Sequence, residues 1–134
     1  MTQILSNLYI GGINEARDIR WLRRHHITHI VNCAEEIPNY HRSIRYINLN
    51  FDDVPSQYIL GHMNAVLNFY QHARGNVLVH CHAGISRSSA TIMYILMKLK
   101  KWDWKKAFRY LKARHPRAMP NPGFLDQLSR IRTT

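Results

Sequence analysis

Apolar residues recur along the chain with two spacings, and each spacing predicts a different kind of element. Short runs that are continuous, or that alternate with polar residues, predict strands at 8–10, 28–33, 44–49 and 77–81. Apolar residues three and four apart predict helices at 14–25, 59–70, from 87 onwards, at 104–115 and at 124–131. Because strands alternate with helices, we expect an α/β fold with a central, mostly parallel, twisted sheet flanked by helices.

Two polar segments interrupt this pattern and are expected to be loops. Residues 38–40 separate the second and third predicted strands, and residues 52–57 follow the third. Within the latter loop, Pro55 breaks regular structure and Ser56 is the predicted N-cap of the helix that follows.

The composition indicates one domain. A chain of 134 residues with 46% apolar content can bury a single core, so we expect one domain over residues 1–134. No run is long and apolar enough to cross a bilayer, and two cysteines do not make a disulfide framework. We therefore expect a protein of the reducing cytoplasm or nucleus, with no cofactor and no metal ion; its oligomeric state is left open.

The charge balance is strongly basic. Nineteen Lys and Arg against eight Asp and Glu give a net charge of +11, which favours encounters with polyanions. The basic residues concentrate at 17–24 and 98–117, in two predicted amphipathic helices. A solvated helix face is the commoner meaning of such runs, and a surface for RNA, phosphoinositide or an acidic protein is the alternative.

The segment 80–88, His-Cys-His-Ala-Gly-Ile-Ser-Arg-Ser, carries the candidate chemistry. A predicted strand ends at Cys81, a tight loop follows, and a helix opens at Arg87. The first amides of that helix lack partners within it, so loop and helix should form a nest for a tetrahedral oxyanion. These amides and the Arg87 guanidinium are expected to favour the thiolate form of Cys81, and Arg87 can grip two phosphate oxygens.

A cysteine and an arginine separated by five residues also occur by chance, and the alternative is a buried Cys in an ordinary strand–turn–helix. The preceding His80, the internal Gly84 and the Ser-Arg-Ser ending make the pattern specific. It resembles the signature loop of cysteine-dependent phosphatases, in the form His-Cys-x-x-Gly-x-Ser-Arg-Ser that is found in dual-specificity protein phosphatases. The resemblance continues through the opening pattern at 4–11, the strand pattern at 27–32 and the closing pattern at 120–128.

This resemblance implies a small, stand-alone member with a cysteine-phosphatase-like fold, whose Cys-x5-Arg loop lies between a strand and a helix. It further implies hydrolysis of phosphotyrosine and of phosphoserine and phosphothreonine in proteins through a cysteinyl-phosphate intermediate. Cys81 is the expected nucleophile, because a thiolate attacks phosphorus well and divides the reaction into two easier steps. The phosphate-binding loop is expected to consist of Cys81, His82, Ala83, Gly84, Ile85, Ser86 and Arg87.

Three neighbours of this loop are assigned supporting roles. By resemblance, Ser88 donates a hydrogen bond to the departing sulfur in the second step; alternatively it only satisfies amides at the start of the helix. His80 is expected to support the loop through its ring, and a satisfied core histidine is compatible with the same position. Asn121 resembles a family residue that braces the loop from behind, and a turn residue without contacts is the alternative.

Ester cleavage also needs a general acid, because an unprotonated alkoxide or phenoxide leaves poorly. Members of the family carry this acid on a loop before the helix that precedes the signature strand. The corresponding loop here is 52–57, and aligning the residues that follow places the acid at Asp53, with Asp52 as the alternative.

Cys33, the second cysteine, is predicted in a strand beside the one that ends at Cys81. Its context resembles the lipid phosphatase relatives of tensin, in which a neighbouring cysteine can trap the oxidised nucleophile. A reversible Cys33–Cys81 disulfide is therefore one hypothesis, and a buried structural thiol is the other.

The chain shows no separate tyrosine-recognition loop, so a shallow cleft that accepts all three phosphoresidues is expected. Phosphoinositide phosphatases of the superfamily often have lysines within the loop, where His82 and Ile85 stand here. RNA 5′-phosphatases tend toward Thr-His-Gly and Asn-Arg-Thr-Gly, from which residues 86–89 depart. Both remain alternatives because of the net charge, and a phospho-binding pseudophosphatase is the non-enzymatic one.

Overall fold

A five-stranded sheet forms the centre of the computed structural model, which describes residues 2–132. Its strands are β1 (Thr2–Leu5), β2 (Leu8–Gly11), β3 (Ile27–Ala34), β4 (Arg45–Phe51) and β5 (Asn76–His80). They lie in the order β1-β2-β5-β3-β4, with β1 antiparallel to β2 and the other neighbours parallel. The predicted α/β class with a mostly parallel sheet is confirmed. Met1, Thr133 and Thr134, which the expected domain 1–134 includes, lie outside the described residues.

Six helices flank the sheet in the described part of the chain. They are α1 (Ile13–Arg17), α2 (Ile19–Arg24), α3 (Met63–Gln71), α4 (Arg87–Lys100), α5 (Trp104–Arg114) and α6 (Pro122–Ser129), and a 3-10 turn (Leu60–His62) precedes α3. Between residues 2 and 132, no helix combines the length and the apolar character that crossing a bilayer requires.

The single helix predicted at 14–25 is wrong, because Asp18 divides this segment into α1 and α2. The Asp18 backbone is extended, with φ −88° and ψ 92°, and its N–H donates to the carbonyl oxygen of Glu15 at 3.2 Å. Its carboxylate accepts from the Trp21 N–H at 3.1 Å and so caps α2. An aspartate that caps a new helix in this way competes with continuation of the old one.

The prediction of Ser56 as an N-cap is also wrong. The helix α3 begins seven residues later at Met63, after the 3-10 turn, and His62 occupies its N-cap position. The chain before that turn is instead held by Gln127 of α6, whose side-chain oxygen accepts from the Ile59 N–H at 2.8 Å. A contact between residues far apart in sequence therefore delays the helix.

The strand β1 escaped prediction because its sequence, Thr-Gln-Ile-Leu, neither alternates between apolar and polar residues nor forms a continuous apolar run. It pairs with β2 along one edge of the sheet, and the Tyr110 hydroxyl of α5 donates to the Ile4 carbonyl oxygen at 3.0 Å.

Alternation along β5 sorts side chains between two cores and thereby orients Cys81. Val77 and Val79 pack into the larger core with α3 to α6, whereas Leu78 packs into the smaller core beside α2. Two residues beyond Val79, Cys81 faces the larger core as well, as side chains on one face of a strand do. The nucleophile predicted from the sequence therefore points toward α4.

Candidate active site

The signature loop, residues 81–87, connects the carboxyl end of β5 to the first turn of α4. Three of its carbonyls are held by surrounding groups: those of His82, Gly84 and Ile85 accept from the Ile13 N–H at 2.9 Å, the His115 ring at 2.8 Å and the Met119 N–H at 2.8 Å. The amides of residues 82–87 have no acceptor among the described residues. Carbonyls held outward and amides left free are the arrangement that a bound oxyanion needs.

Gly84 allows the loop to curl this tightly. Its φ is +71°, in the left-handed region that glycine adopts at no steric cost, and a Cβ there would lie 3.0 Å from the Gly11 carbonyl oxygen. A larger residue at Gly84 would therefore meet both a backbone penalty and a close contact with β2.

Cys81 lies at the base of the loop, 3% exposed, with its Sγ 3.1 Å from the Oγ of Ser88. Ser88 is fully buried in the first turn of α4, so this contact is shielded from bulk water. A serine hydroxyl at this distance can donate to a thiolate. The pair has the geometry expected for assistance of a departing sulfur.

His80 is buried directly before the nucleophile. Its ring Nδ1 lies 3.3 Å from the Cys81 carbonyl oxygen. Burial lowers the pKa of His80 to about 4, so the imidazole is neutral at neutral pH and its Nδ1–H can donate to that carbonyl. The loop-supporting contact of the ring therefore involves the first carbonyl of the signature loop.

Glu36, just beyond β3, orients the Arg87 guanidinium. Nη1 and Nη2 of Arg87 donate to the two carboxylate oxygens of Glu36, each at 2.7 Å, and Nη1 also donates to the Phe51 carbonyl oxygen at 3.0 Å. The hydrogen bonds from Arg87 lower the pKa of Glu36 to about 2, against a smaller opposing effect of burial. The same pair raises the pKa of Arg87. Both groups are therefore charged at any pH at which the protein would work.

The Arg87 guanidinium has five N–H donors, and three of them are used within the protein. Two go to Glu36 and one to Phe51, which leaves the Nε–H and the second Nη2 hydrogen of Arg87 without a partner in the described chain. These two lie on one edge of the planar group and are parallel. Such an edge fits two oxygens of a phosphate, as bidentate recognition requires.

Asp53 is tied to the signature loop through Asn121, whereas Asp52 is not. The Asn121 side-chain amide donates to Oδ1 of Asp53 at 3.0 Å, and its backbone N–H donates to Oγ of Ser86 at 2.9 Å. Asp52 contributes only its own N–H, which donates to the side-chain oxygen of Gln57 at 3.0 Å. Both carboxylates are exposed.

Asn121 also begins α6, because its Oδ1 accepts from the Phe124 N–H at 3.0 Å. Pro122 follows at the first helical position, where proline is well tolerated. The backbone is extended at Asn121, with φ −63° and ψ 161°, and becomes helical at Pro122. One side chain caps a helix and contacts the predicted acid.

The amino-terminal part of α6 holds the acid loop, residues 52–57, by close packing. A Cβ on Gly123 would lie only 2.0 Å from the Pro55 carbonyl oxygen, so only glycine fits there. One turn later, the Gln127 side-chain amide donates to the Gln57 carbonyl oxygen at 2.8 Å. The position of the acid loop relative to the signature loop is therefore set by α6.

Cys33, on β3, lies at the position that faces Cys81 at the end of the neighbouring strand β5. Asn32 pairs with His80 across β3 and β5, and each cysteine is the next residue, facing the same core. Cys33 is fully buried, with its Sγ 3.4 Å from the Thr91 hydroxyl, and both cysteines are free. Burial raises the pKa of the Cys33 thiol, more than the Thr91 contact lowers it.

Sequence reasoning missed four residues of the site: Glu36, His115, Gly123 and Gln127. Two carboxylates directly after a buried strand beside the Cys81 strand were a usable signal for a partner of Arg87, although not for Glu36 over Glu35. His115 bridges the Gly84 carbonyl and, at 2.7 Å, the Thr2 hydroxyl, and burial lowers its pKa. No sequence pattern pointed to His115 as a site residue, because one of its partners lies on the unpredicted strand β1.

Between residues 2 and 132, no group of three or more His, Cys, Asp or Glu side chains is placed to hold a metal ion.

Comparison with known proteins gives one consistent match. A family model described as the dual specificity phosphatase catalytic domain matches residues 8–134. Dual specificity protein phosphatase 15 of Rattus norvegicus is 37% identical over 131 residues, which cover 96% of this chain and 56% of that protein. Dual specificity protein phosphatase 19 of Mus musculus is 36% identical over 125 residues, which cover 90% and 57%. The chain spans little more than half the length of these relatives.

Solved structures agree with the match. The crystal structure of DUSP15 superposes with a TM-score of 0.92 at 36% identity, over 96% of this chain and 85% of that one. Human DUSP28 superposes with a TM-score of 0.91 at 28% identity, over 96% and 90%.

Proposed function

Because the chain belongs to the dual specificity phosphatase family, we propose that it removes phosphate from phosphotyrosine and from phosphoserine and phosphothreonine in proteins. One observation carries the proposal. The Cys81 sulfur lies at the base of a loop with free amides, beside an Arg87 whose Nε–Nη2 edge is unoccupied while Glu36 holds the rest of the group. A phosphate seated there would meet a nucleophile below and donors around its three outer oxygens.

In the first step the Cys81 thiolate attacks phosphorus, so an S–P bond forms and the P–O bond to the leaving group breaks. The Arg87 edge and the loop amides hold the equatorial oxygens, where charge concentrates in the transition state. Asp53 gives its proton to the leaving oxygen, and the product is a neutral alcohol or phenol.

In the second step water attacks the cysteinyl phosphate. The Asp53 carboxylate accepts a proton from that water, the P–S bond breaks, and inorganic phosphate forms. The Ser88 hydroxyl, 3.1 Å from the sulfur, donates to the departing thiolate and stabilises it. The enzyme returns to its starting state without a cofactor.

Purified, reduced protein tests the proposal on four substrates: a phosphotyrosine peptide, a phosphothreonine peptide, a phosphoinositide and 5′-triphosphorylated RNA. We expect turnover of both peptides above that of lipid and RNA, since His82 and Ile85 stand where lysines would make the loop interior basic. If the protein turned over none of these substrates and no small aryl phosphate, the enzyme proposal would be wrong and a phospho-binding pseudophosphatase would be the remaining interpretation. Faster release from lipid or RNA would overturn the protein-phosphatase assignment.

Replacing Gly123 by alanine is expected to move the acid loop and slow turnover of esters with poor leaving groups. The new Cβ would lie 2.0 Å from the Pro55 carbonyl oxygen and 2.6 Å from its Cα, so the backbone must shift. A displacement of about 1 Å costs roughly 10²-fold in such reactions. We expect that loss in kcat for phenyl phosphate and a much smaller one for p-nitrophenyl phosphate, which needs less help from an acid.

Gly61→Ala is the matched control. A Cβ at Gly61 would meet only the Tyr58 ring, at 3.1 Å, and a side chain can yield where backbone cannot. Equal losses in both variants, or equal losses for both esters in Gly123→Ala, would show that α6 does not set the position of the acid.

Cys33 is proposed as a partner that protects the oxidised nucleophile. Peroxide converts the Cys81 thiolate to a sulfenic acid; the Cys33 thiol then attacks that sulfur, water leaves, and a disulfide forms. The facing positions on β3 and β5 support this, while the raised pKa of Cys33 predicts a slow attack. Wild type treated with peroxide should recover activity in dithiothreitol, and Cys33→Ser should recover several-fold less. Only sulfinate or sulfonate at Cys81 in wild type, without a Cys33–Cys81 peptide, would contradict it.

A further inference from the structure

Large hydrophobic side chains are exposed at four positions in the described chain. These are Tyr40, Val54, Tyr58 and Met119, which are 38%, 38%, 60% and 49% exposed. Isolated exposed hydrophobics are ordinary on protein surfaces, but a set confined to one place marks an interaction site. All four lie on connections that surround the signature loop, and we call them the apolar rim.

The positions of Val54 and Met119 follow from contacts already described. Val54 is the residue after Asp53, whose carboxylate accepts from Asn121. Met119 lies two residues before Asn121, and its own N–H donates to the Ile85 carbonyl oxygen at 2.8 Å. Val54 and Met119 are therefore within two residues of the Asp53–Asn121 hydrogen bond in the chain, and both side chains are exposed.

Tyr58 and Tyr40 extend the apolar rim. Tyr58 follows the acid loop, where Gln127 binds the carbonyl of one neighbour, Gln57, and the N–H of the other, Ile59. Tyr40 belongs to the β3–β4 connection that also carries Glu36, the partner of Arg87. Exposed aromatic residues thus lie both beside the acid loop and on the connection that orients Arg87.

The segments that carry the apolar rim are acidic in sequence, although the chain as a whole is basic. Residues 34–41, 50–60 and 118–123 contain no Lys or Arg, although the chain has nineteen. They contain Glu35, Glu36, Asp52 and Asp53, which are four of its eight acidic residues. Arg42 and Arg117 lie just beyond these ranges, and Glu36 is paired with Arg87. Glu35, Asp52 and Asp53 form no salt bridge in the described chain, and their charges disfavour acidic groups beside the phosphate.

We propose that the apolar rim selects phosphopeptide segments in which apolar, and not acidic, residues adjoin the phosphoresidue. This rests on the proposed phosphatase function and specifies its substrate. The phosphate enters the signature loop. The peptide side chains on either side of the phosphoresidue pack against the apolar rim, one against Val54 and Met119 and the other against Tyr58 or Tyr40. Contact of this kind removes apolar surface from water in the bound state, and it should favour such peptides about 10-fold.

Three phosphotyrosine hexapeptides test the proposal, identical except for Leu, Ser or Glu on both sides of the phosphotyrosine. For wild type we expect kcat/KM about 10-fold higher with Leu than with Ser, and lowest with Glu. The double variant Tyr40→Ser, Tyr58→Ser should reduce the Leu-to-Ser ratio below about threefold while hydrolysing p-nitrophenyl phosphate within about twofold of wild type. Arg20→Gln, on the exposed face of α2, is the control and should keep the ratio.

Equal rates on Leu and Ser peptides, or a preference that survives the double variant, would overturn the apolar rim as a selector. Faster hydrolysis of the Glu peptide, or of phosphoinositide in vesicles, would overturn it in favour of an anionic partner. Failure of the phosphatase function itself has a separate signature, since wild type would then not hydrolyse p-nitrophenyl phosphate either.

Discussion

Replacement of Cys81 by serine is expected to reduce kcat for every phosphate ester by at least about 10⁴-fold. A serine hydroxyl stays protonated at neutral pH, and the side chain within hydrogen-bond distance of the sulfur, Ser88, cannot act as a base. The oxyanion donors do not depend on sulfur, because Arg87 is held by Glu36 and the loop carbonyls by Ile13, His115 and Met119. Steady-state turnover of p-nitrophenyl phosphate measures the loss.

The Cys81→Ser protein should still bind phosphopeptide, and calorimetry with a phosphotyrosine peptide would show it. Cys33→Ser is the matched control, because it makes the same change on the neighbouring strand and leaves the sulfur of Cys81 in place. We expect this control to keep wild-type turnover under reducing conditions. Comparable activity in Cys81→Ser and wild type would remove Cys81 from the mechanism, and loss in both variants would indicate a folding defect.

Asp53→Asn should slow cleavage of phosphotyrosine peptide by about 10²–10⁴-fold, as loss of a general acid does. Asparagine keeps an oxygen that can accept from Asn121, so the side chain should stay in place and only the proton is lost. The dependence on leaving group identifies the cause. The defect should be large for phenyl phosphate and small for p-nitrophenyl phosphate, whose leaving group departs without a proton.

Asp52→Asn is the corresponding control and should cost less than about threefold, because the Asp52 carboxylate makes no hydrogen bond in the described chain. A large loss in Asp52→Asn together with a small loss in Asp53→Asn would assign the general acid to Asp52. A defect in Asp53→Asn that is equal for all leaving groups would mean that Asp53 acts on binding and not on proton transfer.

The fold could be predicted where each element carries its own pattern. The buried strand β3 and the helix α5 came out within one residue of their observed ends, because their apolar spacing is set by their own residues. The helix boundaries at Asp18 and Met63 could not be predicted in this way. The first depends on a capping choice between two short helices, and the second on Gln127, which lies 68 residues from Ile59.

The same distinction between local patterns and distant contacts applies to the candidate site. Cys81, Arg87 and Ser88 could be placed from sequence because they are contiguous in a strand, a loop and a helix whose geometry places them together. The partner of Arg87 could not be placed, since Glu35 and Glu36 are equivalent in sequence and only the exit of β3 brings Glu36 to the guanidinium. His115 was hidden for the same reason, as its contacts join α5 to β1 and to the signature loop.

The sequence by itself determined the candidate site: a thiol, a predicted anion nest and an arginine within seven residues, whose mutual geometry is local. The tertiary structure decided which carboxylate meets that site and what surrounds it. Asp53 is connected to Ser86 through Asn121, and Gly123 and Gln127 hold the acid loop, all through contacts between residues dozens of positions apart. The net charge suggested polyanions, but the packed chain brings Glu36 to Arg87 and Asp53 to Asn121, and the apolar rim lies on the connections that carry Glu36, Asp53 and Asn121. Charge counts add over the whole chain, whereas a substrate meets only the side chains that folding gathers at one edge of the sheet.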